Sequence, residues 1–139
     1  MKKMGAWSEL PFDNDDALDW AQEVNSDSIF SDMEALFLMV KEIVSNMDYL
    51  ESDIGASVIA SGYVLLSIVE PDGTYELPDS IRDVIADNTK YPSKELLSKA
   101  IEALTVVLSE KSELFSLWEG SSNWISIVKS IIAGLSKHV

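Results

Sequence analysis

Apolar residues recur along this chain at spacings of three and four, the period of helices buried on one side. Ala17, Trp20, Ala21 and Val24 mark a first helical face. Asn14 is its predicted N-cap, and Asp15, Asp16 and Asp19 place negative charge on the first turns, where the helix dipole favours it. Asn25-Ser26-Asp27-Ser28 interrupts the pattern. A second stripe follows through Met33, Leu36, Phe37, Val40, Ile43, Val44 and Met47, with Asp32, Glu34, Lys41 and Glu42 on its polar side.

From about Ser52 to Val69 the chain is apolar nearly all round, with Gly55, Ala56, Ala60 and Gly62 interspersed. Six β-branched residues make a strand conceivable, but a run of this length exceeds a typical strand and predicts a central helix. Its small residues would let neighbouring helices approach closely. Glu70-Pro71-Asp72-Gly73 is a turn signal that closes it. Leu77-Pro78-Asp79 opens another helix containing Ile81, Val84 and Ile85, and Asn88 to Pro92 ends it. Ser93 caps a helix with Leu96, Leu97, Ala100, Ile101, Leu104, Val107 and Leu108 on its stripe. A short helix over Ser112–Glu119 stops at Gly120. A last one runs from about Ser122 to Lys137 with Trp124, Val128, Ile131, Ile132 and Leu135 inward, leaving Ile125 and Ile127 as exposed positions that would suit a subunit interface. With no repeat, low-complexity tract or linker, residues 1–139 are expected to form one domain. The predicted fold is all-α, a single compact multi-helix bundle.

Composition narrows the chemistry. With no cysteine in 139 residues, disulfides, thiolate metal sites and cysteine nucleophiles are excluded. Lys2 and Lys3 lack an apolar run behind them, so no secretory signal is read. The longest uncharged stretch, Ile54 to Val69, is short and carries three serines, which suits a buried helix better than a membrane span. The expectation is a cytoplasmic, soluble protein. A net charge of −14 argues against nucleic acid as a partner, because phosphates would be repelled. The charge is lopsided: residues 1–70 hold 14 acids against 3 basic residues, and the remainder 10 against 7.

Catalytic equipment is sparse. The one histidine, His138, is the penultimate residue, where fraying is expected, and one imidazole builds neither a serine-type triad nor a histidine metal site. The six glycines are scattered, so no phosphate-cradling loop is present. Asp13, Asp15, Asp16 and Asp19 lack the glycine and distal glutamate of a helix–loop–helix calcium site. Three of these acids on one helical face would hold a hard cation at best weakly, and the plainer reading is service to the helix N-terminus. Trp7, Trp20, Trp118 and Trp124 are expected to pack between elements. No cofactor is called for.

The opening of the chain is the most ordered by residue type: Gly5-Ala6-Trp7-Ser8, then Phe12-Asp13-Asn14-Asp15-Asp16-Ala17-Leu18-Asp19-Trp20. Together with Ser112-Glu113-Leu114-Phe115-Ser116-Leu117-Trp118-Glu119 it resembles the bacterial family known as domain of unknown function 4259. Members tend to open with Gly-Ala-Trp-Gly and Phe-x-Asn-Asp-x-Ala-x-Asp-Trp, and to carry Ser-Glu-Leu-x-x-Leu-Trp-Glu later; here Ser8 stands where the family usually has glycine. The resemblance implies a small, mainly helical bacterial protein and transfers no catalytic residue. The two segments are expected to form one structure. Trp7 and Phe12 would fold back near Leu117 and Trp118, with Asp19 or Asn14 satisfying loop backbone N–H groups.

The function expected from size, charge and missing catalytic groups is non-enzymatic binding. The leading candidate is an immunity protein that neutralises a basic, nuclease-type toxin domain. The exposed acids Asp27, Asp32, Glu34, Asp48, Glu51 and Asp53 are the expected contacts, with electrostatically steered association. The alternative is a small carboxylate- or metal-dependent enzyme, or a ligand-binding module, using Asp13–Asp19. Neither nucleic acid nor membrane is an expected partner.

Overall fold

The computed structural model describes residues 8–88 and 90–139, and among them seven α-helices build a bundle with no strand. They are α1 (Asp15–Glu23), α2 (Ile29–Ser45), α3 (Ser52–Val69), α4 (Asp79–Asp87), α5 (Lys94–Val107), α6 (Glu113–Trp118) and α7 (Ser122–Ser136). The all-α expectation holds element by element.

Four starts are fixed by the side chain that flanks them. Asn14 Oδ1 accepts the Ala17 N–H at 2.7 Å, and the hydroxyls of Ser93, Ser112 and Ser121 accept from Leu96, Phe115 and Trp124 at 3.1, 3.3 and 3.1 Å. Each bond satisfies one of the donors a helix leaves free at its first turn. At α4 the flanking position is taken by Pro78, whose fixed φ suits it and whose missing N–H costs nothing there.

α3 is the axis of the bundle and packs against α1, α2, α5, α6 and α7. Its 18 residues reach a mean hydropathy of 1.6, enough by length and composition to cross a membrane, yet 61% of it is buried among its neighbours. The small residues do what their sizes suggest. A Cβ on Gly62 would stand 2.9 Å from Leu104 of α5 and 3.2 Å from Ile131 of α7, and one on Gly55 would stand 3.0 Å from Leu114 of α6. The core is filled by Met33, Phe37 and Val40 of α2, Val58, Val64 and Leu65 of α3, Leu97, Leu104 and Val107 of α5, and Trp124, Val128 and Leu135 of α7.

Three expectations are corrected. Met47 is not on the α2 stripe. It sits past the helix end at φ 61°, 88% exposed, while its N–H donates to the Val44 carbonyl and that of Asp48 to Ile43. That paired pattern terminates helices and places a left-handed residue, usually glycine, at this position. Ile125 and Ile127 are half-buried and packed on the core, since α7 lies in a groove of α3 and α5 that covers more than one stripe. His138 does not fray: its Nε2 lies 3.1 Å from Glu70 Oε2, which ties the end of the chain to the end of α3.

Candidate functional site

The two segments of unusual residue order meet in space. After Asn14 caps α1, its amide donates to the Pro11 carbonyl at 3.2 Å, and the Ser8 hydroxyl donates to Asp13 Oδ2 at 2.6 Å, so the loop is closed on itself. From the other side of the molecule, the Ser121 hydroxyl donates to Glu9 Oε2 at 3.2 Å while capping α7. Ser8 to Pro11 thus face Leu117, Trp118 and Trp124 across a cavity of about 50 Å³. A water molecule needs roughly 10–15 Å³ measured this way, so the space admits a few waters and no substrate. It is a packing seam.

The docking partner of Phe12 differs from the expectation. Its ring lies 6.5 Å from Trp20 and 6.2 Å from Tyr63, and Tyr63 stands edge-on to Tyr75 at 5.5 Å. Phe12 thus anchors the loop to α1 and α3, and its neighbours Ser8–Pro11 supply the contact to the Leu117–Trp118 segment. Asp19 is exposed and makes no backbone hydrogen bond among the described residues. Trp7 lies outside the described residues. Trp20 and Trp118 are half-buried and Trp124 is buried, as packing residues.

The second segment holds a device that sequence reasoning missed. Leu50 and Ser112 form an isolated parallel bridge: the Leu50 N–H donates to the Lys111 carbonyl, and the Glu113 N–H to the Leu50 carbonyl, both at 2.8 Å. This alignment carries the Glu113 carboxylate to the first turn of α3, where Oε1 accepts the Ser52 N–H at 2.7 Å. α3 has no side-chain cap of its own from Glu51. An acid 61 residues away supplies it, and an anion there also meets the positive end of the helix dipole.

The acids expected to contact a partner are drawn from several elements. Asp27, Asp32, Glu34, Asp48, Glu51 and Asp53 are exposed, but they run from the α1–α2 turn along all of α2, some 25 Å by helical rise, to the start of α3. Glu34 is bound to Lys99 at 2.7 Å, and Asp32 accepts from the Ser28 hydroxyl at 2.9 Å. Only Asp53 joins others of the predicted acids. It shares a shallow cleft of about 280 Å³ with Asp16, Asp19, Trp20 and Glu23. There Asp16 is pushed above the usual carboxylate range, first by burial and then by the charges of Asp53, Asp19 and Asp15. Among the described residues no group of three or more acids or histidines is placed to hold a metal ion.

What concentrates negative charge instead is spacing. On α1, Asp15, Asp19 and Glu23 recur every four residues, and on α4, Asp79, Asp83 and Asp87 do the same. All six are exposed, and none is in an ion pair among the described residues. α1 and α4 pack on each other, with the Ser80 hydroxyl donating to the Ala21 carbonyl at 3.5 Å. The one basic residue on either helix, Arg82, is turned back to the Leu77 and Tyr75 carbonyls at 3.2 Å each. The i, i+4 repeat was legible in the sequence. The pairing of two helices some sixty residues apart was not.

Residues 5–127 match the model of the family described as a domain of unknown function, DUF4259. No curated protein and no solved structure matches the chain.

Proposed function

We propose that this chain, which belongs to the DUF4259 family, is a non-enzymatic acidic binding protein that neutralises a basic protein partner by direct contact. The reading that suits it best is an immunity protein acting in the cytoplasm on a nuclease-type toxin domain. The contact surface is drawn from the acidic stripes on α1 and α4, extended by Asp53.

One observation carries this reading: the stripes are kept against helix stability. Like charges at i, i+4 destabilise a helix by about 0.2–0.5 kcal/mol per pair, and each stripe contains two such pairs. Glu23 and Asp87 are the last residues of their helices, where the dipole disfavours acids by about 0.3–1 kcal/mol each, which offsets what Asp15 and Asp79 gain in the first turns and leaves the like-charge pairs as the net cost. A surface shaped only for solubility interleaves both signs. Unpaired acids on two adjoining helices instead suit a cationic partner, which would remove the repulsion on binding and be drawn in over long range.

The test is co-expression with a panel of basic nuclease toxins, including any toxin domain found to be encoded beside this chain. Growth should be rescued by the wild-type chain and not by a variant carrying Asp15→Lys, Asp19→Lys, Asp79→Lys and Asp83→Lys. Rescue that survives these four reversals removes the stripes from the mechanism. Absence of rescue across the panel, with binding too weak to detect, removes the immunity reading.

A further inference from the structure

A large cavity among the described residues lies away from both the motif seam and the acidic stripes. It is an open groove of about 690 Å³ between α2 and α5. Val40, Ala103 and Val106 belong to its apolar lining, and Leu38, at 55% exposure, stands on its edge. With the apolar floor beneath it, a leucine so exposed is uncovered apolar surface that a partner would bury. Neither α1 nor α4 contributes to the lining.

The charge of the rim says what covers it. Lys41 and Lys99 stand there with Glu34 and Glu102, so a chain of net −14 is locally neutral at this groove. A second copy approaching any strongly acidic face is repelled, whereas here two lysines and two glutamates meet two lysines and two glutamates. A cationic partner would gain nothing at such a rim, and the head of an anionic amphiphile would meet two carboxylates. Lys99 is already held by Glu34 at 2.7 Å, which leaves Lys41 on the α2 side and Glu102 on the α5 side. A two-fold axis through the groove makes every contact twice with the roles exchanged, which allows Lys41 of each copy to meet Glu102 of the other on opposite rims.

We propose that the α2–α5 groove is the interface of a symmetric homodimer, in which Leu38 of each copy fills the space over Ala103 of its partner and Lys41–Glu102 pairs close the rim. The α2 face lining the groove runs from Ser31 to Ser45. That is about 21 Å by helical rise and, two helices wide, a footprint on the order of 400 Å² in projection. Stable interfaces bury about 800 Å² per partner, so this dimer is a weak and reversible one.

Sedimentation velocity and light scattering on the intact chain, from about 5 to about 500 µM, bracket an interface of that strength. The mass should rise with concentration from 15.4 kDa toward twice that value. Leu38→Glu and Lys41→Glu should each hold it at the monomer, with helical circular dichroism unchanged because both residues are exposed. Lys41→Glu combined with Glu102→Lys should restore the dimer. A wild-type monomer throughout, a dimer indifferent to Leu38→Glu, or a double reversal that fails to restore it overturns the proposal. So does a monomer that binds an amphiphilic dye in a Leu38-dependent way, because the groove then belongs to a small apolar ligand. None of these outcomes bears on the acidic stripes, so the two readings stand or fall separately.

Discussion

Replacing Ser61 with alanine should raise the melting temperature. Ser61 lies in the middle of α3, fully buried, and its hydroxyl has no hydrogen-bond partner among the described residues. Other hydroxyls in this fold bond back to the carbonyl four residues earlier, as Ser57 does to Asp53 at 3.1 Å and Thr105 to Ile101 at 2.8 Å. Ser61 does not, and the adjoining Gly62 is pressed against Leu104 and Ile131. Three effects compete. An unsatisfied buried hydroxyl costs about 1–3 kcal/mol, and alanine is the better helix former by about 0.5 kcal/mol. Against these, losing one oxygen leaves a void of roughly 20 Å³, worth about 0.5 kcal/mol at ~24 cal/mol per Å³. The first two win, for a net gain of about 1–3 kcal/mol. At about 3–5 °C per kcal/mol for a chain of this length, the midpoint should rise by roughly 3–15 °C. Thermal melts followed at 222 nm check it. A lower midpoint for Ser61→Ala would refute the reasoning, because it would mean that the hydroxyl is bonded in solution, with the Ser57 carbonyl as the nearest acceptor along the helix.

Glu113→Ala should destabilise by about 1–2 kcal/mol, the range for a lost cap with a charged acceptor at a half-exposed site, with α3 amides showing faster hydrogen exchange at Ser52–Ile54; unchanged exchange there would dissociate Glu113 from α3. Met47→Gly should stabilise by roughly 0.5–1 kcal/mol in denaturant melts, since a left-handed conformation costs a residue with a side chain about 1–2 kcal/mol and part of that returns as glycine's extra unfolded-state entropy. Asp16 binds its proton more tightly folded than unfolded, so it makes stability fall as pH rises from the ordinary carboxylate range through its raised folded value. Asp16→Asn should therefore melt above wild type at pH 7, with the gap closing as pH drops toward about 4; a gap that stays constant with pH would contradict that sign.

The helices themselves were written in local sequence. Spacings of three and four, Asn14 and Ser93 as caps, and an apolar run too long for a strand are all read within one or two turns, because helix hydrogen bonds and capping bonds are themselves local. The packing of aromatic residues around the opening loop was anticipated in kind, but its direction was not: Phe12 turns to Trp20 and Tyr63 instead of toward Trp118. Met47 misled because it continues the apolar period one residue beyond the point where the helix ends.

What tertiary structure alone decided is every arrangement that joins residues far apart in the chain. Glu113 finds Ser52 only because Leu50 and Ser112 pair. α1 and α4, each with its own acidic stripe, lie against one another only because the chain returns there some sixty residues later. The same holds for the groove, whose two walls are separated by the whole of α3 and α4. Periodicity tells a helix which side to bury and says nothing about which neighbour it meets there, for that choice depends on shape and on how each residue fits a surface built from the rest of the chain.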